Sequence, residues 1–167
     1  IDIGYLITLG IVIGCLAELY CRYILTMQKQ GKIWFGDRLI LKMSLSGVLL
    51  GAIYSYLPNE FHQITELEKV IIEGSIDISM ALTIFIILFI TTGLAAASGA
   101  PGGLFYPMLI LGGSMGLFCG HWVETFTSHV PSTYVFAGMG AFVSACSRTP
   151  ITAMFLAFAL TKDLLIL

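Results

Sequence analysis

The stretch SGAPGGLFYP, Ser98 to Pro107, is where this chain could do chemistry. Two prolines and three glycines crowd into ten residues, and the segments on either side are strongly apolar. Pro101 and the glycines end the segment that arrives through Thr91 to Ala97, and a second helix can open near Gly103. The opening N–H groups of that helix have no partner within it. The helix macrodipole adds roughly half a positive charge at the same end. Glycine also lacks the Cβ that would hold a ligand away from the backbone. Such an end binds an anion without any basic side chain. Partial charges suit an ion that must also leave, whereas a lysine would hold a halide too tightly for conduction. The other reading is a packing kink with no ligand, and these residues by themselves leave the two equally open.

The remaining chemistry-bearing residues are scattered. Cys15, Cys21, Cys119 and Cys146 lie in apolar segments without C-x-x-C spacing, and His62, His121 and His129 stand apart. Neither a metal centre nor a disulfide framework is expected, and each cysteine reads as a small buried hydrophobe. Glu18 and Arg22 are spaced i,i+4 with the acid first, the favourable order for a helical ion pair. An ordinary pair near a helix end is expected over an intramembrane relay. His121 with Ser144 or Ser147 has no acid to orient it, so no enzyme, catalytic residue or cofactor is expected.

The elements that must position these residues are membrane helices. The chain of 167 residues is 57% hydrophobic and 11% charged, where a soluble domain carries about a quarter charged residues. Its mean hydropathy is +0.94. From Ile78 to Val123 there is no Asp, Glu, Lys or Arg, a run about twice the ~20 residues that one span needs. The fold expected is an all-α polytopic transmembrane bundle with a broken or re-entrant helix. A net charge of −2 argues against a nucleic-acid partner or a polybasic surface anchor. The first residue is Ile1 and no charged leader precedes the first apolar run, so the chain reads as an internal piece of something longer.

Spans are expected from about Ile3 to Met27, Leu39 to Leu57, Ile78 to Ala97, Leu104 to Phe126 and Tyr134 to Leu160, the last interrupted by SRTP at Ser147 to Pro150. Lys29, Lys32 and Arg38 place the connector Gln28–Arg38 in the cytoplasm, and one crossing later the acidic connector Pro58–Asp77 falls outside. Small residues recur four apart at Gly10 and Gly14, Gly47 and Gly51, Gly112, Gly116 and Gly120, and Ala137, Ala141 and Ala145. Such stripes let helix backbones approach closely and predict one compact bundle.

SGAPGGLFYP resembles the third signature segment of the CLC family of chloride channels and chloride/proton exchangers, whose pattern is G-x-F-x-P. Gly103, Phe105 and Pro107 match it, with Leu104 and Tyr106 at the variable positions. The later stretch YVFAGMGAFVSACSRTPITAMFLAFALT is similar to the segment just before the family's last membrane helices. The first span, with Gly10, Gly14 and YILTMQKQ, resembles the opening of the family's second half. The likeness covers nearly the whole chain in the right order.

The resemblance implies that residues 1–167 form a single membrane domain, the second of two inverted repeats and incomplete without preceding and following segments. It implies that the backbone N–H groups of Leu104 and Phe105 contact chloride, within a selectivity-filter motif Gly103, Leu104, Phe105, Tyr106 and Pro107. The Phe105 ring would line the pore as a constriction. The gating glutamate would lie before Ile1 and the pore tyrosine after Leu167, so this chain alone should not conduct. Ala159 stands where the family commonly has a glutamate, so the role of that acid does not carry over. A homodimer is implied, with the helix Ile151 to Leu160 at its contact, in a plasma membrane or bacterial inner membrane. The substrate would be chloride, with protons as the second partner in an exchanger and the lipid bilayer around both. Two other functions stand beside this one: a membrane scaffold working through its G-x-x-x-G stripes, and a secondary transporter for another solute.

Overall fold

The computed structural model describes residues 3–36, 38–56, 71, 77–99, 103–124, 131–149, 151 and 155. Among them the regular structure is helical, with five long helices: α1 Ile3–Phe35, α2 Leu39–Tyr56, α3 Ile78–Ser98, α4 Phe105–Glu124 and α5 Pro131–Ser147. Two of them, α1 and α3, are long and apolar enough to cross a membrane by length and composition. Spans expected around residues 39–57, 78–97 and 104–126 therefore coincide with α2, α3 and α4 to within two residues at each end. α5 begins at Pro131, not at Tyr134 as expected, because proline is favoured in a first helical turn, where its missing N–H costs nothing. Residues 57–70, 125–130 and 156–167, with parts of the acidic connector, the TSHVPST loop and the last expected span, lie outside the described residues.

The first helix departs most from expectation. The polar segment after Met27 is not a loop, because α1 continues through it to Phe35 over 33 residues, about 50 Å at 1.5 Å per residue. Gly36, with φ 52°, turns the chain, and its N–H bonds the Lys32 carbonyl at 3.0 Å. Gly31 stays helical despite its low propensity because the site is crowded. A Cβ there would fall on the Ala97 carbonyl oxygen at the end of α3 and 2.9 Å from Lys42 Cε on α2.

Helix α3 holds its threonine hydroxyls on its own backbone. Thr91 Oγ1 donates to the Ile87 carbonyl at 2.8 Å and Thr92 Oγ1 to the Leu88 carbonyl at 2.6 Å, the arrangement that hides a hydroxyl in an apolar helix. α3 ends where Gly99 takes φ 72°, with its N–H on the Ala96 carbonyl at 3.2 Å.

The tightest packing joins α4 to α5. Gly112 approaches Gly138 and Phe142, while Gly116 approaches Tyr134 and Val135, so the two helices run antiparallel. α1 and α3 run side by side in the same direction, with Tyr20 and Tyr23 against Phe89 at ring distances of 5.4 and 4.8 Å. Phe142 of α5 closes this aromatic cluster against Tyr20 at 5.5 Å. The Gly112 stripe does pack closely, with Gly138 as its partner on α5, while Ala145 of the alanine stripe is exposed. Gly10, Gly14, Gly47 and Gly51 face open space. Those two stripes pack nothing within the described residues.

Candidate anion site

A helix does open after the broken segment, at Phe105, two residues beyond Gly103. Met108 N–H bonds the Leu104 carbonyl at 3.1 Å, which makes Leu104 the N-cap and Phe105 the first helical residue. The N–H groups of Leu104, Phe105 and Tyr106 therefore have no carbonyl one turn earlier within the helix. Pro107, next in line, has no N–H to leave unsatisfied.

This helix end borders a cavity of about 230 Å³ lined by Gln28, Thr92, Ala96, Gly99, Gly103 and Leu104, among others. Gly103 has no atom within 4 Å of where a Cβ would stand, so the cavity side of the backbone is open. Its φ lies outside the left-handed region, and among the described residues of this break the one that needs glycine for its conformation is Gly99. Leu104 is half-buried and packs against the core, whereas the Phe105 and Tyr106 rings are exposed.

The sequence did not point to Gln28 or Thr92. Thr92 was readable as one of two adjacent hydroxyls in a charge-free helix, but its donor is taken by Leu88. Gln28 was assigned to a connector, and only the extension of α1 brings it beside the α4 start. Among the described residues, the α4 N–H groups can donate to an anion, and Gln28 also lines the cavity.

The other residues singled out do not converge on this cavity. Glu18 and Arg22 form their ion pair, Nε to Oε1 at 2.8 Å, on the outer face of α1, with 60% and 78% of their side chains exposed. The antiparallel α4–α5 pair sets His121 and Ser147 at opposite ends, and the Ser147 hydroxyl is 2.5 Å from the Val143 carbonyl. Cys15 is exposed, contrary to the reading of every cysteine as buried. Cys21 and Cys146 meet across α1 and α5, with Cys146 Sγ 3.9 Å from the Ala17 carbonyl. No group of three potential metal ligands stands together among the described residues.

Comparison with known proteins adds a second line. The family model for the voltage gated chloride channel matches residues 1–167. The H(+)/Cl(-) exchange transporter ClcA of Cronobacter sakazakii is 33% identical over 163 residues, covering 93% of this chain and 34% of the relative. The proteins of the same name from Yersinia pestis and Salmonella paratyphi A are also 33% identical, over 162 and 166 residues, with 93% and 95% of this chain covered. The chain thus spans about a third of the length of these curated relatives.

Proposed function

The chain belongs to the voltage gated chloride channel family, and from that premise we propose that it carries part of a path by which chloride crosses a membrane. The observation that carries this reading is the open cavity at the α4 start, where a helix N-terminus meets a glycine with free space above it. Chloride sits there on the N–H groups of Leu104 and Phe105, held by partial charges that also let it leave. Gly103 to Pro107 is the selectivity-filter segment, and the exposed Phe105 ring narrows the path.

In this reading residues 1–167 are the second of two inverted repeats, and the pore closes only with the other repeat. Two such proteins associate as a homodimer. Proton coupling follows from the relatives, whose names describe H(+)/Cl(-) exchange. The end of α1 carrying Lys29 and Lys32 faces the cytoplasm, because basic residues favour that side.

Chloride efflux tests the reading. Vesicles loaded with chloride and holding the intact protein lose it faster than protein-free vesicles, and equal rates would overturn the proposal.

A further inference from the structure

Lys42 carries the one further inference. It lies in the first turn of α2, on a helix whose other side chains are largely exposed, yet only 7% of its own surface is accessible. Its stem crosses Gly31 of α1, and its Nζ and the Ala97 carbonyl of α3 flank the same point above that glycine. Among the described residues no carboxylate or hydrogen-bond acceptor pairs with it. The last turn of α3 offers it only the negative end of a helix dipole. A lysine whose stem is packed at a helix junction, with no counter-charge among the described residues, is a candidate partner for an anionic group.

The ammonium borders a cavity of about 220 Å³ between α1, α2 and α3, distinct from the one at the α4 start. Gln30 and Ser46 add polar groups beside Lys42, while Trp34, Leu45 and Leu49 make the walls apolar. Trp34 is 79% exposed, and Leu45 and Leu49 are each 44% exposed, so the apolar side opens outward from the bundle. Lys29, Lys32 and Arg38 are exposed at the same end.

We propose that this cavity binds the phosphate headgroup of an anionic glycerophospholipid. Lys42 pairs with the phosphate, Gln30 donates to its oxygens, and the acyl chains run along Leu45, Leu49 and the Trp34 ring. A free inorganic anion fits less well. It would leave the leucines and the indole without a partner, and the volume far exceeds one small ion. Basic pockets between membrane helices on one side of the bilayer bind lipid headgroups in this way. A tryptophan at headgroup level suits the same boundary. The proposal does not depend on chloride binding at Leu104 and Phe105.

The test uses the intact purified protein and phosphatidylglycerol, with phosphatidylcholine and inorganic phosphate as comparison ligands, read by native mass spectrometry and by the thermal shift each ligand produces. Wild type retains phosphatidylglycerol over phosphatidylcholine and ignores inorganic phosphate at the same concentration. Lys42→Met lowers phosphatidylglycerol retention about fivefold, the worth of one cation near an anionic headgroup. Lys42→Arg keeps it, and Lys32→Gln, a change at an exposed basic residue, leaves most of it. Equal retention in Lys42→Met and wild type would overturn the proposal, as would a stabilisation by inorganic phosphate matching that by the lipid. Should Lys42→Met fail to fold, Leu49→Glu, which places an acid on the exposed apolar wall, must reduce retention. Unchanged retention in that variant would overturn the proposal equally.

Discussion

Gly112 and Gly138 meet backbone to backbone: a Cβ at Gly112 would stand 2.5 Å from the Gly138 carbonyl oxygen and 2.7 Å from Phe142 Cβ. Neither neighbour is the end of a flexible side chain, so α4 and α5 must separate to admit even one methyl group. In a membrane the contact rests on close van der Waals packing, since apolar surface alone gives little drive between helices. Gly112→Ala should therefore destabilise the protein by about 1–3 kcal/mol, the usual cost of overpacking. Gly10→Ala and Gly47→Ala, which face open space, should be neutral or stabilising by up to about 1 kcal/mol through helix propensity. Thermal unfolding in detergent measures all three.

The anion cavity makes a different demand of its glycines. The φ at Gly103 lies outside the left-handed region and its Cβ direction is empty, so the turn itself accepts a side chain there. Gly103→Val should act by filling the space an anion would use. Chloride titration by calorimetry on the intact protein should show at least about tenfold weaker binding in Gly103→Val, roughly 1.4 kcal/mol. Leu104→Met, a swap of similar volume, should stay within about twofold. Chloride bound as tightly by Gly103→Val as by wild type would remove the cavity from the path.

Strain belongs at Gly99. Its φ of 72° ends α3, and an alanine there must take a left-handed conformation at a cost of about 1–2 kcal/mol. Gly99→Ala should lower the unfolding midpoint while leaving Gly103 and its open side in place. A midpoint equal to wild type would mean that the turn relaxes without penalty.

Phe105 lies 41% exposed at the first residue of α4, where its N–H has no carbonyl one turn earlier within the helix. Phe105→Ala keeps the backbone donors and removes the ring, so chloride affinity should change by no more than about twofold, as for other changes that spare the binding groups. Efflux from vesicles should quicken if the ring is the constriction. Slower efflux with unchanged affinity would assign the ring to holding α4 in position.

Orientation is read by cysteine labelling with an impermeant reagent in intact cells. Gly31, a natural choice from the sequence, is packed against Ala97 and Lys42 and would not tolerate the probe. Lys32, on the exposed side of the same turn, is the better position. Lys32→Cys should be protected and Glu66→Cys labelled, and the reverse pattern would invert the topology.

The helices were legible where their ends carry their own signals. Pro58 in the sequence follows the apolar run of α2 by two residues, Asp77 precedes a charge-free run, and Gly99 caps α3 within the glycine-proline stretch that lies before α4. The length of α1 was not legible, because a glycine among lysines and glutamines looks like a connector until α3 and α2 press against it. That residues 112 and 116 sit in a close helix contact was visible in their spacing. Their partner was not, since a repeat on one helix does not say which face its neighbour turns toward it. The motif residues Gly103 to Pro107 were found from their types alone. Gln28 and Lys42 were not recognised as lining cavities, since a single polar residue near a helix end looks the same whether it faces water or an enclosed space.

The weak attachment of α2 bears on how the protein is made. Its interior-facing side hides Lys42 and Ser46 and packs mainly on α3, a helix that the ribosome completes later. On leaving the translocation machinery, α2 has little protein to lean on and must wait in lipid beside α1 until residues 78–98 arrive. The α4–α5 hairpin, joined by a short connection, has its partner at once, in keeping with the speed of sequence-local pairing. Premature release of the chain between α2 and α3 would leave a helix with a lysine in its first turn exposed to the bilayer, a form that quality-control proteases in the membrane could distinguish from the finished bundle.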